Sequence, residues 1–423
     1  MKSNLFQHIN HWLIFALTLF LSVYERMVTP IIILLAIGAI IEFSTTKAKP
    51  KLNKGMIYSA VFYLLFVFGM FYTENIPQGG MDLSVKASFI AFPIIAFFLS
   101  KRPSGKLGFA ISGMIVGAIM GSLICWVNFV YQYVFEQSII SYGSFSIIMH
   151  SSYFSVNIVI AFIFLFYFLF LTKVKRSVLQ RSFGAVALLF LTVTVLMVSS
   201  KTGILTLIFA IAVCLFSLLY RYKKLVAYIS LISIVALVTC VIQFNPRMNA
   251  AFESMRSIDL HKNQVYGTIQ GRIFVWRQAK EVLEQNPVLG VGTGDVRDEL
   301  FDNYKDLNIR YQDEIRLNCH NQYLETYLAC GIIGMLFLIF FLLQPLFSRN
   351  RHFLITTFVL IMALNLMFES MFNRQAGVIL FALFYQLFWL RASLNIPITI
   401  PILKDIKRKD KMDLIPDDGK VKS

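Results

Sequence analysis

Long apolar stretches, broken by short polar segments, recur along almost the whole chain. Stretches of about 15 to 25 residues are long enough to cross a ~30 Å hydrocarbon core as helices. Twelve are expected, at 11–24, 28–43, 56–72, 87–99, 107–134, 151–172, 183–199, 203–220, 225–243, 321–347, 353–369 and 375–391. The shortest, including the first two and 87–99, leave room for a tilted pair or a re-entrant segment. One long polar interruption, about 244–320, keeps a helical rhythm, with apolar positions three and four apart in GRIFVWRQAKEVL (271–283). The breaker NPVLGVGTGD (286–295) and a charged piece, VRDELFDNYKDLNIRYQDEIR, follow it. That loop has too few apolar residues to fold alone, so it is expected to lie on the bundle as a lid or side wall. The predicted fold is all-α, a polytopic membrane helical bundle of about 12 transmembrane helices with one large, mainly helical extracytoplasmic loop. Its expected parts are an N-terminal transmembrane bundle (1–243), the loop (244–320), three C-terminal spans (321–391) and a basic tail (392–423). The first apolar stretch lacks a small-residue cleavage site and runs straight into the second, so no cleavable signal peptide is expected.

Composition agrees: 57% of the 423 residues are hydrophobic, 15% are charged and 41 are Phe, more apolar area than a globular surface can hide. The net charge of +16 raises the question of nucleic acid, and its placement answers it. Basic residues collect in alternate short loops, KAKPKLNK (47–54), KRPSGK (101–106), KVKRSVLQR (173–181), RYKK (221–224), SRNRH (348–352), and in the tail KDIKRKDK (404–411). Positive charge marks the cytoplasmic side, which puts both termini in the cytoplasm and the large loop outside; nucleic acid is not an expected partner.

Five Cys, three of them inside predicted spans (Cys125, Cys214, Cys240), do not make a disulfide framework. Cys319 and Cys330, eleven residues apart on one helix, would stand about 16 Å from each other. Cys319 and His320, as sequence neighbours, point about 100° apart on a helix and make a poor nucleophile–base pair. Gly290, Gly292 and Gly294 read as a tight turn, since no strand precedes them. No Asp-x-Asp and no His/Cys cluster marks the loop, so no metal site and no cofactor are expected.

His320 and Asn321 stand where the chain re-enters the bilayer, in NCHNQYLETYLACGIIGMLFLIFFLL (318–343). One reading is a helix cap and interfacial anchor. The other is a general base, because an imidazole of ordinary pKa is mostly unprotonated at neutral pH and able to take a proton from a hydroxyl. Arg272, four residues before Trp276, is either a cation stacked on that ring or a fork for phosphate oxygens. Lys201 is either a snorkelling lysine or a point charge for an anion. His150 and Tyr153, in HSSYFS (150–155), are candidates for substrate contacts at the same end. Glu369, in FESMFNRQAG, is costly in lipid and is expected to make a structural pair with Arg374.

The order of these motifs resembles the O-antigen ligase and polymerase family of membrane glycosyltransferases. His320-Asn321, nine residues, Gly331, two residues and Gly334 are similar to that family's His followed by Asn, Ser or Gln and then two small residues. Arg272, Trp276 and the turn NPVLGVGTG are similar to its Arg, Trp and Pro/Gly-rich turn. SSKTGIL (199–205) resembles its Ser-Arg-Thr/Gly element, with Lys201 where the family usually has Arg. The likeness covers about 199–390 by motif and the rest by topology.

The resemblance implies a metal-independent enzyme that moves a glycan from an undecaprenyl-diphosphate carrier to an acceptor hydroxyl at the outer leaflet of a bacterial inner membrane. His320 is then the catalytic base, Arg272 and Lys201 hold the diphosphate, and Asn321, His150 and Tyr153 are further substrate contacts. The expected activity is O-antigen ligation onto lipid A-core in lipopolysaccharide biosynthesis. The alternatives are a polysaccharide polymerase, a protein O-oligosaccharyltransferase and, in a different class, a twelve-span lipid or solute transporter. Ionisable or Gly/Pro-broken positions at mid-membrane in paired halves, which a transporter needs, are sparse.

Overall fold

The computed structural model describes residues 2–137, 144–172, 176–221, 268–305, 318–347 and 352–394, with a few positions between 174 and 232. Among them the regular elements are all helical. In chain order they are α1 (Lys2–Val23), α2 (Val28–Thr45), α3 (Lys54–Gly69), α4 (Ile76–Lys86), α5 (Ser88–Leu99), α6 (Lys106–Phe135) and α7 (Ser151–Phe166). Then come α8 (Val178–Val198), α9 (Lys201–Tyr220), α10 (Thr268–Gln285), α11 (Val296–Tyr304), α12 (Gln322–Leu343), α13 (Phe353–Leu366) and α14 (Gln375–Leu394). Among the described residues ten stretches are long and apolar enough to span a membrane, and α13 is a shorter apolar helix. The protein is an all-α polytopic membrane bundle. Every expected span has its helix except the ninth, 225–243, most of which lies outside the described residues.

The fourth span differs from its sequence expectation. It runs over Ile76–Leu99, α4 and α5 together, rather than 87–99. Asn75 caps α4 by accepting from Gln78 N, and Pro77 stands in the first turn, where its missing N–H costs nothing. Hydropathy hides α4 because its polar side chains find partners, Gln78 with Asp82 at 3.0 Å for example.

Close packing rests on small residues. Gly113, Gly117 and Gly121 of α6 lie against the α1 backbone, and a Cβ on each would come within 2.1 Å of Phe15 O, 2.5 Å of Leu19 O and 2.4 Å of Ser22 O. At the basic end of these helices Lys106 Nζ meets Glu42 Oε1 at 2.9 Å, with both side chains 1% exposed. Asn10 Nδ2 donates to the second Glu42 oxygen at 2.6 Å, so the buried charge is paired and hydrogen-bonded.

Helices that alternate in direction bring 70–75, 144–150, 199–200, 318–321 and 367–374 to one end. The connections 46–53 and 100–105, with the basic runs 47–54 and 101–106, are at the other. An aromatic core anchors the first group. Phe62 packs on Phe341 at 5.3 Å and Phe89 on Phe372 at 5.0 Å, tying α3, α5 and α12 to the turn Met371–Asn373. Phe372 is fully buried, which fixes the depth of the segment that carries Glu369.

Candidate active site

Asn321 is the residue that caps α12. Its side-chain oxygen accepts from Tyr323 N at 3.0 Å and Leu324 N at 3.2 Å, the orphan donors of a helix start. His320, one position earlier, takes a left-handed backbone with φ +46°. That conformation is uncommon for a residue with a Cβ and persists where the surroundings hold it. Asn318 Oδ1 accepts the His320 N–H at 2.8 Å, and the Trp276 indole donates to Cys319 O at 2.7 Å, fixing the peptide just before the histidine. The side chain of His320 is 45% exposed, so its ring meets both protein and surroundings.

His320 Nδ1 stands 3.2 Å from Glu369 Oε2. An ionised carboxylate only accepts, so Nδ1 carries the hydrogen and Nε2 keeps its lone pair for an incoming proton. The other carboxylate oxygen, Oε1, accepts from Arg272 Nη2 at 3.2 Å and from Ser152 Oγ at 3.0 Å. Burial raises the Glu369 pKa, but the hydrogen bond and charge of His320, then Arg272 and Ser152, outweigh it and leave the carboxyl below its ordinary value. Glu369 therefore pairs with His320 and Arg272, not with Arg374 as its sequence neighbourhood suggested. Trp276 likewise hydrogen-bonds to Cys319 O.

Ser152 belongs to the first turn of α7 and lies 3.5 Å, oxygen to oxygen, from Ser200, which caps α9 by accepting from Gly203 N. Lys201 follows Ser200, is exposed and opens α9, where the helix dipole favours an anion. His150 precedes α7, exposed, with its ring edge-on to Tyr153 at 6.1 Å. The structure thus joins His320 and Arg272 through one carboxylate. Lys201, His150 and Tyr153 stand at the same end of the bundle, and the Asn321 side chain is engaged as a cap. Cys319 is fully buried, and its thiol is raised well above the ordinary value by that burial and by Glu325, which leaves it no nucleophile. The described cysteines are free.

Residues 185–339 match the family model described as O-Antigen ligase. That stretch of the chain is similar to the O-antigen ligases. A protein of Haemophilus influenzae described as uncharacterized is 28% identical over 357 residues, covering 79% of this chain and 83% of that protein. The match supports a membrane glycosyltransferase-like role. Lys201, Arg272 and His320 fall inside the matched stretch, whereas Ser152 and Glu369 lie outside it and join them only in three dimensions.

The first of the two small residues beyond His320, Gly331, also acquires a reason. α12 is broken at Gly331 (φ +65°, ψ −170°), and the turn after α10 docks into the break. Val291 N donates to Leu328 O at 2.7 Å and Ile332 N to Pro287 O at 3.1 Å. A Cβ on Gly331 would reach Val288 O at 1.9 Å, and one on Gly290 (φ +74°) would reach Leu328 O at 2.2 Å. The loop is therefore hydrogen-bonded into the bundle, and α10 with Arg272 and Trp276 is held against the start of α12. Asp295 strengthens the attachment by accepting from Glu74 N at 2.8 Å and Asn75 N at 2.7 Å at the start of α4.

Proposed function

We propose that the protein transfers a glycan from an undecaprenyl-diphosphate carrier to an acceptor hydroxyl, as an O-antigen ligase acting on lipid A-core at the outer face of a bacterial inner membrane. The observation that carries this reading is the bond from His320 Nδ1 to Glu369, which leaves Nε2 as an aimed base. Nε2 takes the acceptor O–H proton as the oxygen bonds to the anomeric carbon. The bond from that carbon to the diphosphate oxygen breaks, and the carrier diphosphate departs with the electron pair. His320 is partly exposed and returns its proton to water. One displacement by an external hydroxyl inverts the anomeric centre.

The growing negative charge on the diphosphate needs cations that are already in place. Arg272 uses Nη2 for Glu369, and its side chain is 25% exposed. Its fork is suited to two phosphate oxygens. Lys201 and the start of α9 supply a second positive region across Ser200 and Ser152. Glu369 then has two tasks, keeping His320 in the right tautomer and setting the position of Arg272. No metal is required, because the protein's own cations assist departure. The positive-inside distribution supports the reading that this end of the bundle faces out of the cytoplasm, where a flipped lipid-linked glycan is presented.

Ligation is favoured over polymerisation by the description of the matching family. Deleting the gene tests this choice. A ligase leaves long glycan accumulating on the lipid carrier with lipid A-core bare, whereas single repeat units attached to the core identify a polymerase instead.

A further inference from the structure

Two segments meet at the candidate site from different hairpins, the entry to α12 (318–325) and the turn after α13 (369–373). A ladder of hydrogen bonds joins them. Ser370 Oγ donates to Asn318 Oδ1 at 2.8 Å, and the same Asn318 oxygen accepts His320's own N–H at 2.8 Å. Ser370 Oγ in turn accepts from Asn321 N at 3.2 Å. One turn deeper, Gln322 Oε1 accepts from Phe372 N at 2.7 Å, and Asn373 Nδ2 donates to Glu325 Oε1 at 2.7 Å. Ser370, Gln322 and Glu325 are all buried.

The first rung is the informative one. Ser370 directly follows Glu369, and Asn318 and Asn321 bracket His320, so one hydroxyl ties the backbone of the proposed base to that of the residue that aims it. The His320–Glu369 contact, at 3.2 Å, is at the long limit for a hydrogen bond and has little slack. Asn318 also stabilises the left-handed backbone of His320, since a side-chain oxygen two residues back offers that N–H a local acceptor.

We propose that Ser370 and Asn318 are positioning residues that register His320 against Glu369, so that the tautomer and aim of the imidazole depend on a hydroxyl and an amide that touch neither substrate. The inference rests on the reading of His320 as the base. Gln322 and Glu325 hold the same turn from below, and their loss acts on the fold first. Ser370 sits where its loss acts on alignment.

The test uses the full chain in proteoliposomes, with undecaprenyl-diphosphate-linked O-antigen extracted from the producing strain as donor and bare lipid A-core as acceptor. Rates are taken per folded protein, and thermal stability is recorded for each variant. Ser370→Ala is expected to lower kcat about 10–100-fold with the donor KM unchanged, by analogy with the outer partners that orient metal-bound histidines. Asn318→Leu is expected to match it. Asn318→Asp keeps the accepting oxygen and restores most of the rate. The double variant Ser370→Ala/Asn318→Leu is no slower than either single one, because both break the same registration. Wild-type kcat in Ser370→Ala, or a change confined to KM or thermal stability, overturns the proposal. His320→Ala, run in parallel, separates the two ideas: full transfer by that variant removes the base itself, whereas an inactive His320→Ala beside a fully active Ser370→Ala removes only the positioning role.

Discussion

Replacing Glu369 by Gln is the sharpest perturbation of the candidate site, because it keeps the volume and removes only the charge and half of the accepting capacity. In the native arrangement Oε1 serves Arg272 and Ser152 at 3.2 and 3.0 Å, and Oε2 serves His320 Nδ1 at 3.2 Å. A glutamine has one oxygen for these three donors. If that oxygen stays with Arg272 and Ser152, its NH2 faces Nδ1 and donates to it, which moves the imidazole hydrogen to Nε2 and blocks the base. If the amide turns over, its NH2 confronts the guanidinium and the ion pair is lost. Either orientation damages the proton transfer. Loss of a general base costs about 10²–10⁴-fold, and a wrong tautomer stands at the high end of that range. This corresponds to about 3–5 kcal/mol in the barrier. The assay is single-turnover transfer from purified carrier-linked glycan in proteoliposomes, with variant and wild type at equal folded amounts. A rate for Glu369→Gln within about threefold of wild type refutes the idea that the carboxylate sets the tautomer.

Other expectations follow from the same geometry. Arg272→Lys keeps a charge but loses the fork, so transfer falls strongly, while Lys201→Arg retains activity; normal transfer by Arg272→Ala would remove the diphosphate assignment. Trp276→Phe keeps the ring but not the indole N–H to Cys319 O, and kcat should fall about tenfold or more with folded protein preserved, read in the same transfer assay. The lowered pKa of Glu369 fixes a sign for pH: its pairing stabilises the fold fully above the ordinary carboxylate value of 4.5 and weakens as the pH falls below it. The difference in melting temperature between wild type and Glu369→Gln is therefore expected to shrink as the pH falls below 4.5, and a difference that persists undiminished in acid contradicts the assignment. A cysteine at Glu284, on α10, should react with a membrane-impermeant thiol reagent in spheroplasts and one at Ser177 should not; the reverse labelling overturns the orientation.

Much of the fold was legible in the sequence because apolar length alone marks a membrane helix. The α4 half of the fourth span escaped for the opposite reason: its polar side chains are partnered within the protein, which hydropathy does not see. His320 drew attention as an imidazole at the entrance to an apolar run, and Arg272 by its spacing from Trp276 and the resemblance of that motif. Their common partner was not legible. Glu369 is 49 residues from His320 and 97 from Arg272, whereas Arg374 is near it in the chain, and proximity in sequence suggested the wrong ion pair. An acid at the end of an apolar run signalled that it must meet something, but only the fold says what. For Trp276, helical spacing offered stacking under Arg272 as one alternative, and the hydrogen bond from its N–H to Cys319 O comes from the tertiary fold. The spacing of Gly331 was visible as a pattern, and its cause, a loop turn lodged in a broken helix, was not.

The central claim is that His320 is the base for glycan transfer from a lipid diphosphate. Its most direct measurement is the joint appearance of glycosylated acceptor and free undecaprenyl diphosphate when purified protein is given carrier-linked glycan and lipid A-core. Equal amounts of the two products from wild type, and a rate at least about 10²-fold lower from folded His320→Ala, are the expected result. Equal product formation by wild type and His320→Ala would contradict it.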